Sequence, residues 1–112
     1  MRIAIPIAGG RLAQHFGHCE QFALFDVNPE TQMVRGMEAL PAPPHQPGLL
    51  PAWLAEQGAD VIVAGGMGQR AQALFAQASI KVVIGAPDAA PEEIVDRYCR
   101  GELASGPNPC DH

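Results

Sequence analysis

The run Asp60-Val61-Ile62-Val63-Ala64 constrains this chain more than any other stretch, because hydrophobic side chains at successive positions fall on both faces of an extended strand. A strand of that kind needs cover on both sides, so it belongs inside a sheet flanked by helices. The residues that follow supply such cover. Gly65-Gly66-Met67-Gly68 breaks the run, and Ala71, Leu74, Phe75 and Ala78 then recur at i, i+3, i+4 and i+7, the stripe of an amphipathic helix. Residues 80–84 form a second apolar run. Strand, helix and strand in this order predict two parallel neighbours joined by a right-handed crossover.

Upstream, Ile3, Ile5 and Ile7 alternate with small or polar residues until Gly9-Gly10 ends the pattern, which predicts a first strand. Residues 21–27 make a second. Asn28-Pro29-Glu30-Thr31 carries turn chemistry, and residues 32–38 are compatible with a strand, so a hairpin is expected whose third strand runs parallel to the first. Between 40 and 51 lie five prolines, which exclude a regular strand or a helix interior and predict a crossover loop containing His45. Leu50, Trp53 and Leu54 then mark a short helix, with Pro51 tolerable in its first turn and Gly58 suited to its C-terminal end. A last helix after Pro91 should bury Ile94, Val95 and Tyr98. The expected architecture is α/β, a five-stranded mixed sheet flanked by helices, forming one domain over 1–103. Residues 104–112 show no periodicity and read as a flexible tail bearing cysteine and histidine.

With 47% hydrophobic residues, mostly aliphatic, a chain of 112 residues can bury one continuous core. The net charge is −5 and the seven Lys and Arg residues are scattered, so no basic stripe exists to neutralise successive phosphates and nucleic acid is not expected as a partner. No apolar segment approaches the ~20 residues needed to span a bilayer, and no leader pattern is present, so a soluble cytoplasmic protein with no membrane partner is expected. Three cysteines, Cys19, Cys99 and Cys110, leave at least one unpaired, consistent with a reducing compartment and thiols that are free or metal-bound. A monomer or weak homo-oligomer is expected.

In the expected topology the loops after the first, third and fourth strands emerge at one edge of the sheet, where open α/β sheets bind ligands. The first loop holds Arg11 and His15-Phe16-Gly17-His18-Cys19, the second His45, the third Gly65-Gly66-Met67-Gly68-Gln69-Arg70. Glycines let a ligand approach the backbone, and the following helix start favours negative charge, so Gly65, Gly66, Met67, Gly68 and Arg70 read as an anion cradle. The competing reading is a strand-to-helix turn that merely needs positive φ angles. The turn lacks the Gly-Lys-Ser/Thr ending of a phosphate-binding loop and the spacing of a dinucleotide fingerprint. His15, His18 and Cys19 offer two imidazoles and a thiol suited to zinc, copper, iron or molybdenum–sulfur chemistry, although Cys19 alone reads equally as a small buried hydrophobe. Cys110-Asp111-His112 places a thiol and an imidazole on the tail, either as a clip for a soft metal or as a solvated end. Nine residues beyond Leu103 reach ~30 Å when extended, enough to return to the ligand edge. For catalysis the chain offers little: Asp26, Asp60, Asp88 and Asp96 form no evident pair, Ser79 and Ser105 lack a nucleophile elbow, and Cys19 beside His18 would act only if the fold bent them together. A non-enzyme is expected.

These segments carry a resemblance. Ile3 to Ile7 leading into His15-Phe16-Gly17, then residues 22–27, the run from Asp60 through Gly68, Ile80-Lys81-Val82 and the ending Asn108-Pro109-Cys110-Asp111-His112 resemble the dinitrogenase iron-molybdenum cofactor biosynthesis family over nearly the whole chain. That family includes NifX, the C-terminal domain of NifB, the cofactor-carrying domain of NafY and the orange protein. The resemblance implies a ribonuclease H-like sheet and a carrier or scaffold for an anionic metal–sulfur cluster, Mo/Fe/S or Mo/Cu/S, or its precursor. It also implies cluster-assembly proteins as partners, with His15 and His45 as ligand-side histidines. Two other functions stay open on the sequence: a small regulatory anion- or nucleotide-binding module, and a hydrolase built on Cys19 or a bound metal.

Overall fold

The structure, a computed structural model, describes residues 1–13, 19–43 and 48–101. Its elements are β1 (Arg2–Ala8), β2 (Arg11–Leu12), β3 (Gln21–Val27), β4 (Val34–Pro41), α1 (Leu49–Glu56), β5 (Val61–Val63), α2 (Gln69–Gln77), β6 (Lys81–Val83) and α3 (Pro91–Cys99). The sheet runs in the order β4-β3-β1-β5-β6, with β2 attached to the end of β1. Strands β1, β5 and β6 are parallel; β3 is antiparallel to β1 and to β4, so β4 points the same way as β1.

Burial explains this order. Val61 and Val63 face one core and Ile62 the other, and all three are buried, as expected of a strand covered on both sides. One core gathers Ile3, Ile5, Phe25, Val27, Val61 and Val63 beneath Ile94 and Val95 of α3. The other packs Phe22, Leu24 and Ile62 under Leu50 and Leu54 of α1 and Phe75 of α2, with Trp53 tilted against Phe22 at 5.6 Å between ring centroids. Of the α2 stripe only Phe75 is fully buried; Ala71, Leu74 and Ala78 are half-buried. In α3, Ile94 and Val95 are buried and Tyr98 half-buried.

Three expectations are corrected. The sheet has six strands rather than five, because Gly9 and Gly10, at φ 63° and 77°, make a tight turn that folds Arg11 and Leu12 back onto Ala8 and Ile7. The second strand of the β3–β4 hairpin starts at Val34 rather than Gln32. Asn28 Oδ1 accepts the N–H groups of Glu30 and Thr31, Gln32 adopts φ 63°, and the turn therefore persists through Met33. That strand also extends into the proline-rich stretch, ending at Pro41; as the sheet's edge strand it needs no donor there. Pro6 lies inside β1 for a related reason. Pairing between β1 and β5 covers only Ile3–Val61 and Ala4–Ile62, so the missing donor falls beyond it, while the Pro6 carbonyl accepts the N–H of Ala13 at 2.9 Å. The boundary at 103 and the tail of 104–112 lie outside the described residues.

Candidate functional site

Because β1, β4, β5 and β6 share one direction, the segments that follow them meet at one edge of the sheet, as the topology of the sequence predicts. Backbone hydrogen bonds tie these segments together. Gly85 N–H donates to Gly65 O at 2.9 Å and Ala86 N–H to Ala64 O at 3.3 Å, bracing the glycine turn with the loop after β6. The same loop reaches β2, where Leu12 N–H donates to Ala89 O at 3.0 Å. On the other flank Glu20 N–H donates to Ile7 O, Ala42 N–H to Glu20 O, and Gly9 N–H to Glu20 Oε1. Loops from four strands therefore form one continuous rim.

The glycine turn is built in two layers. Gly65 and Gly66 are buried, and the Met67 side chain is only 1% exposed, in the core with Phe22, Ile62 and Phe75. The expectation that Met67 contributes to a binding surface is corrected for its side chain, which anchors the turn from beneath. Gln72 Nε2 donates to Met67 O at 2.9 Å and fastens the turn to α2. Gly68 forms the outer layer: it is exposed, and a Cβ placed on it would meet nothing within 4 Å. Its φ of −65° is open to any residue, and neither Gly65 nor Gly66 is among the positive-φ glycines, which are 9, 10, 48, 58, 85 and 101. Conformational need therefore does not explain this turn's glycines.

The starts of α1 and α2 share a glycine N-cap, no side-chain cap and a first turn without acidic residues, whereas α3 opens with Glu92 and Glu93. Arg70 lies in the first turn of α2, exposed and without an ion pair among the described residues. A cation at the positive end of a helix dipole is unfavourable unless an anion offsets both.

Arg11 sits elsewhere on the rim and is engaged. Its Nε meets Asp88 Oδ1 at 2.9 Å and its Nη2 donates to Asp88 O at 2.7 Å, with both side chains more than half exposed. In the sequence Asp88 stands only as one of four scattered aspartates, because nothing in an aspartate 77 positions away signals the pairing with Arg11. Cys19 is half-buried against the core that contains Phe22 and Met67. Burial pushes its thiol up from 9.0 to about 11, only partly offset by a backbone hydrogen bond, so the free protein holds it protonated. His15, His18, His45, Cys110 and His112 lie outside the described residues. Among the described residues no group of three or more His, Cys, Asp or Glu side chains is placed to hold a metal ion. The last helix starts near Ala89 at the rim and ends at Cys99, and Gly101 just beyond it shares a cavity of about 640 Å³ with Met1, Gln32 and Lys81 at the opposite edge.

These features define a small α/β protein whose loops meet in a rim at the carboxyl ends of its parallel strands. The chain belongs to the dinitrogenase iron-molybdenum cofactor family, whose model matches residues 1–101. An uncharacterized protein of Methanocaldococcus jannaschii, MJ0580, is 30% identical over 108 residues, covering 92% of this chain and 89% of that protein. Among solved structures, PH0822 superposes with a TM-score of 0.85 at 28% identity, covering 94% of each chain. The apo form of the orange protein from Desulfovibrio gigas superposes with a TM-score of 0.72 at 27% identity, covering 96% of this chain and 95% of that one.

Proposed function

We propose that this protein is a non-catalytic carrier or scaffold for an anionic metal–sulfur cluster, iron-molybdenum cofactor-like or another Mo/Fe/S or Mo/Cu/S species, or for its precursor. The observation that carries the reading is the start of α2: a cation, Arg70, in its first turn, with the open N-cap glycine Gly68 above the buried Met67 anchor. Membership of the cofactor family supports the choice of a metallocluster over phosphate as the anion. The sheet order, with β3 the one reversed strand along β4-β3-β1-β5-β6, supports a ribonuclease H-like label. A cytoplasmic setting and delivery to cluster-assembly proteins accord with the half-buried free thiols and with the absence, among the described residues, of any helix long and apolar enough to cross a membrane.

In this reading the helix start, Gly68 and Arg70 bind the anionic body of the cargo. His15, His18, His45 and Cys19 stand as candidate ligands around the same rim, with Cys110 and His112 as a tail clip. Binding through the Cys19 sulfur requires loss of its proton, so loading by that route should release a proton and strengthen as pH rises.

The test is anaerobic reconstitution with iron, molybdate, copper and sulfide, followed by metal and sulfide analysis of the wild type, His15→Ala and a chain lacking 108–112. Retention of metal and sulfide at fixed stoichiometry, reduced by His15→Ala, supports the carrier. Metal no higher than in a buffer control removes it, and co-purification of a nucleotide without metal would favour the regulatory module. Loss of retention on deleting 108–112 assigns the tail a ligand role; unchanged retention returns it to solvent.

A further inference from the structure

Asp88 belongs to no motif, yet it occupies the loop that connects the two halves of the rim. At one end of that loop Gly85 and Ala86 bond the glycine turn; at the other, Ala89 accepts from Leu12. Between them Asp88 holds Arg11 in two chemically distinct ways. The carboxylate meets Nε, and the backbone carbonyl accepts from Nη2. A guanidinium has five N–H donors, so these two contacts leave others to face a ligand.

The two contacts respond differently to substitution. The carbonyl is retained by any residue at 88 and fixes the direction of the guanidinium. The carboxylate adds a compensating charge, and because both side chains are more than half exposed that charge is screened and weakly coupled. Arg11 is therefore held in place by the backbone and neutralised by the side chain.

We infer that Asp88 is a positioning residue that sets how much of the Arg11 charge an anion at the rim can use: its carbonyl aims the arginine and its carboxylate competes with the ligand. This rests on the reading of the rim as an anion site. A competing carboxylate weakens binding modestly and makes release easier, which suits a protein that must give up its cargo.

The prediction runs against the usual effect of removing an ion pair. Asp88→Asn keeps the carbonyl and the side-chain shape but deletes the competitor, so it should tighten anion binding by roughly 2- to 5-fold, the range of an exposed ion pair, and steepen its dependence on salt. Arg11→Gln should weaken binding by a similar factor, and Arg11→Gln/Asp88→Asn should bind like Arg11→Gln alone. The measurement is equilibrium binding of tetrathiomolybdate, a preformed anionic molybdenum–sulfur species, at several NaCl concentrations, with molybdate as the sulfur-free oxyanion. Asp88→Ser repeats the test without the amide, and thermal midpoints within a few degrees of wild type show that the loop is intact. Unchanged or weaker binding by Asp88→Asn and Asp88→Ser overturns the inference while leaving the carrier reading standing. A double variant tighter than Arg11→Gln also overturns it, since Asp88 would then act independently of Arg11. If wild type binds neither anion, the rim is not an anion site and both proposals fall.

Discussion

Two arginines mark the opposite edges of the sheet. Arg2, where β1 begins, is 24% exposed, and its guanidinium meets Asp26 at 3.0 Å, Glu38 at 3.5 Å and the Gln57 carbonyl at 2.5 Å. Its backbone N–H donates to Asp60 Oδ2, and Asp60 N–H returns a bond to Arg2 O. Arg11, beyond the end of β1, is 57% exposed and, among the described residues, forms its ion pair with Asp88. The amino edge joins β1, β3, β4 and the α1–β5 connection through one side chain. At the carboxyl edge, backbone hydrogen bonds hold the loops together and leave the charges facing solvent. The first edge closes the fold, and the described loops of the second are joined by backbone hydrogen bonds while the Arg11 and Asp88 side chains stay more than half exposed.

The largest expected effect probes the anchor beneath the open edge. Met67→Ala removes a fully buried side chain from the core shared by α1 and α2 and should cost about 2–5 kcal/mol in a denaturant titration. A loss under 1 kcal/mol would mean that the turn is not held from within.

The contrast within this turn also shows which parts of the molecule were legible in sequence. Alternating and continuous apolar patterns mark β1, β5 and β6, and i, i+3, i+4 spacing marks α1 and α2, because burial imposes those periods directly, while Pro91 marks the start of α3. The two-residue β2 was missed since its identity depends on Gly9 and Gly10 both taking positive φ, which a glycine pair permits without requiring. The glycine turn was recognised as a candidate cradle, but Met67 could not be separated from its neighbours: whether a loop side chain points in or out is a tertiary fact. Arg11 lies at the sheet edge that the topology implies, whereas its pairing with Asp88 is not legible, because an ion pair between loops leaves no local pattern.

The next comparison sets the two arginines side by side. Arg2→Ala leaves Asp26, Glu38 and the Gln57 carbonyl without their shared donor. It should cost about 1–2 kcal/mol, a figure kept low because both carboxylates are half exposed. Arg11→Ala should change stability by less than about 0.5 kcal/mol. Equal effects in urea unfolding would erase the distinction between a closing edge and an open one.

Cys19 allows a pH test on the flank of the rim. Its folded pKa of about 11 lies above the ordinary thiol value of 9.0, so burial favours the neutral form. That contribution is complete below pH 9 and is lost as pH rises through the folded pKa, so a small stability decline between about pH 9 and 11 should be present in wild type and absent from Cys19→Ser. Thiolate absorbance should show a component with a midpoint near 11. A midpoint at or below 9 would place the thiol in solvent.

The smallest effect has the most diagnostic sign. Gly68 is the N-cap of α2, has ordinary φ, and leaves room for a Cβ. Gly68→Ser adds the hydroxyl cap that this helix lacks, so it should stabilise the protein by a few tenths of a kcal/mol. The same hydroxyl would stand where a ligand approaches the helix start, so binding of tetrathiomolybdate should weaken as stability rises. Gly66 offers no such separation, since it is buried and substitution there would disturb folding itself. If Gly68→Ser is more stable and binds as well as wild type, the uncapped helix start has no role in holding the anion. If stability falls, the cap geometry assigned to α2 is incorrect. Opposite signs in the two measurements are what an edge left open for a ligand requires.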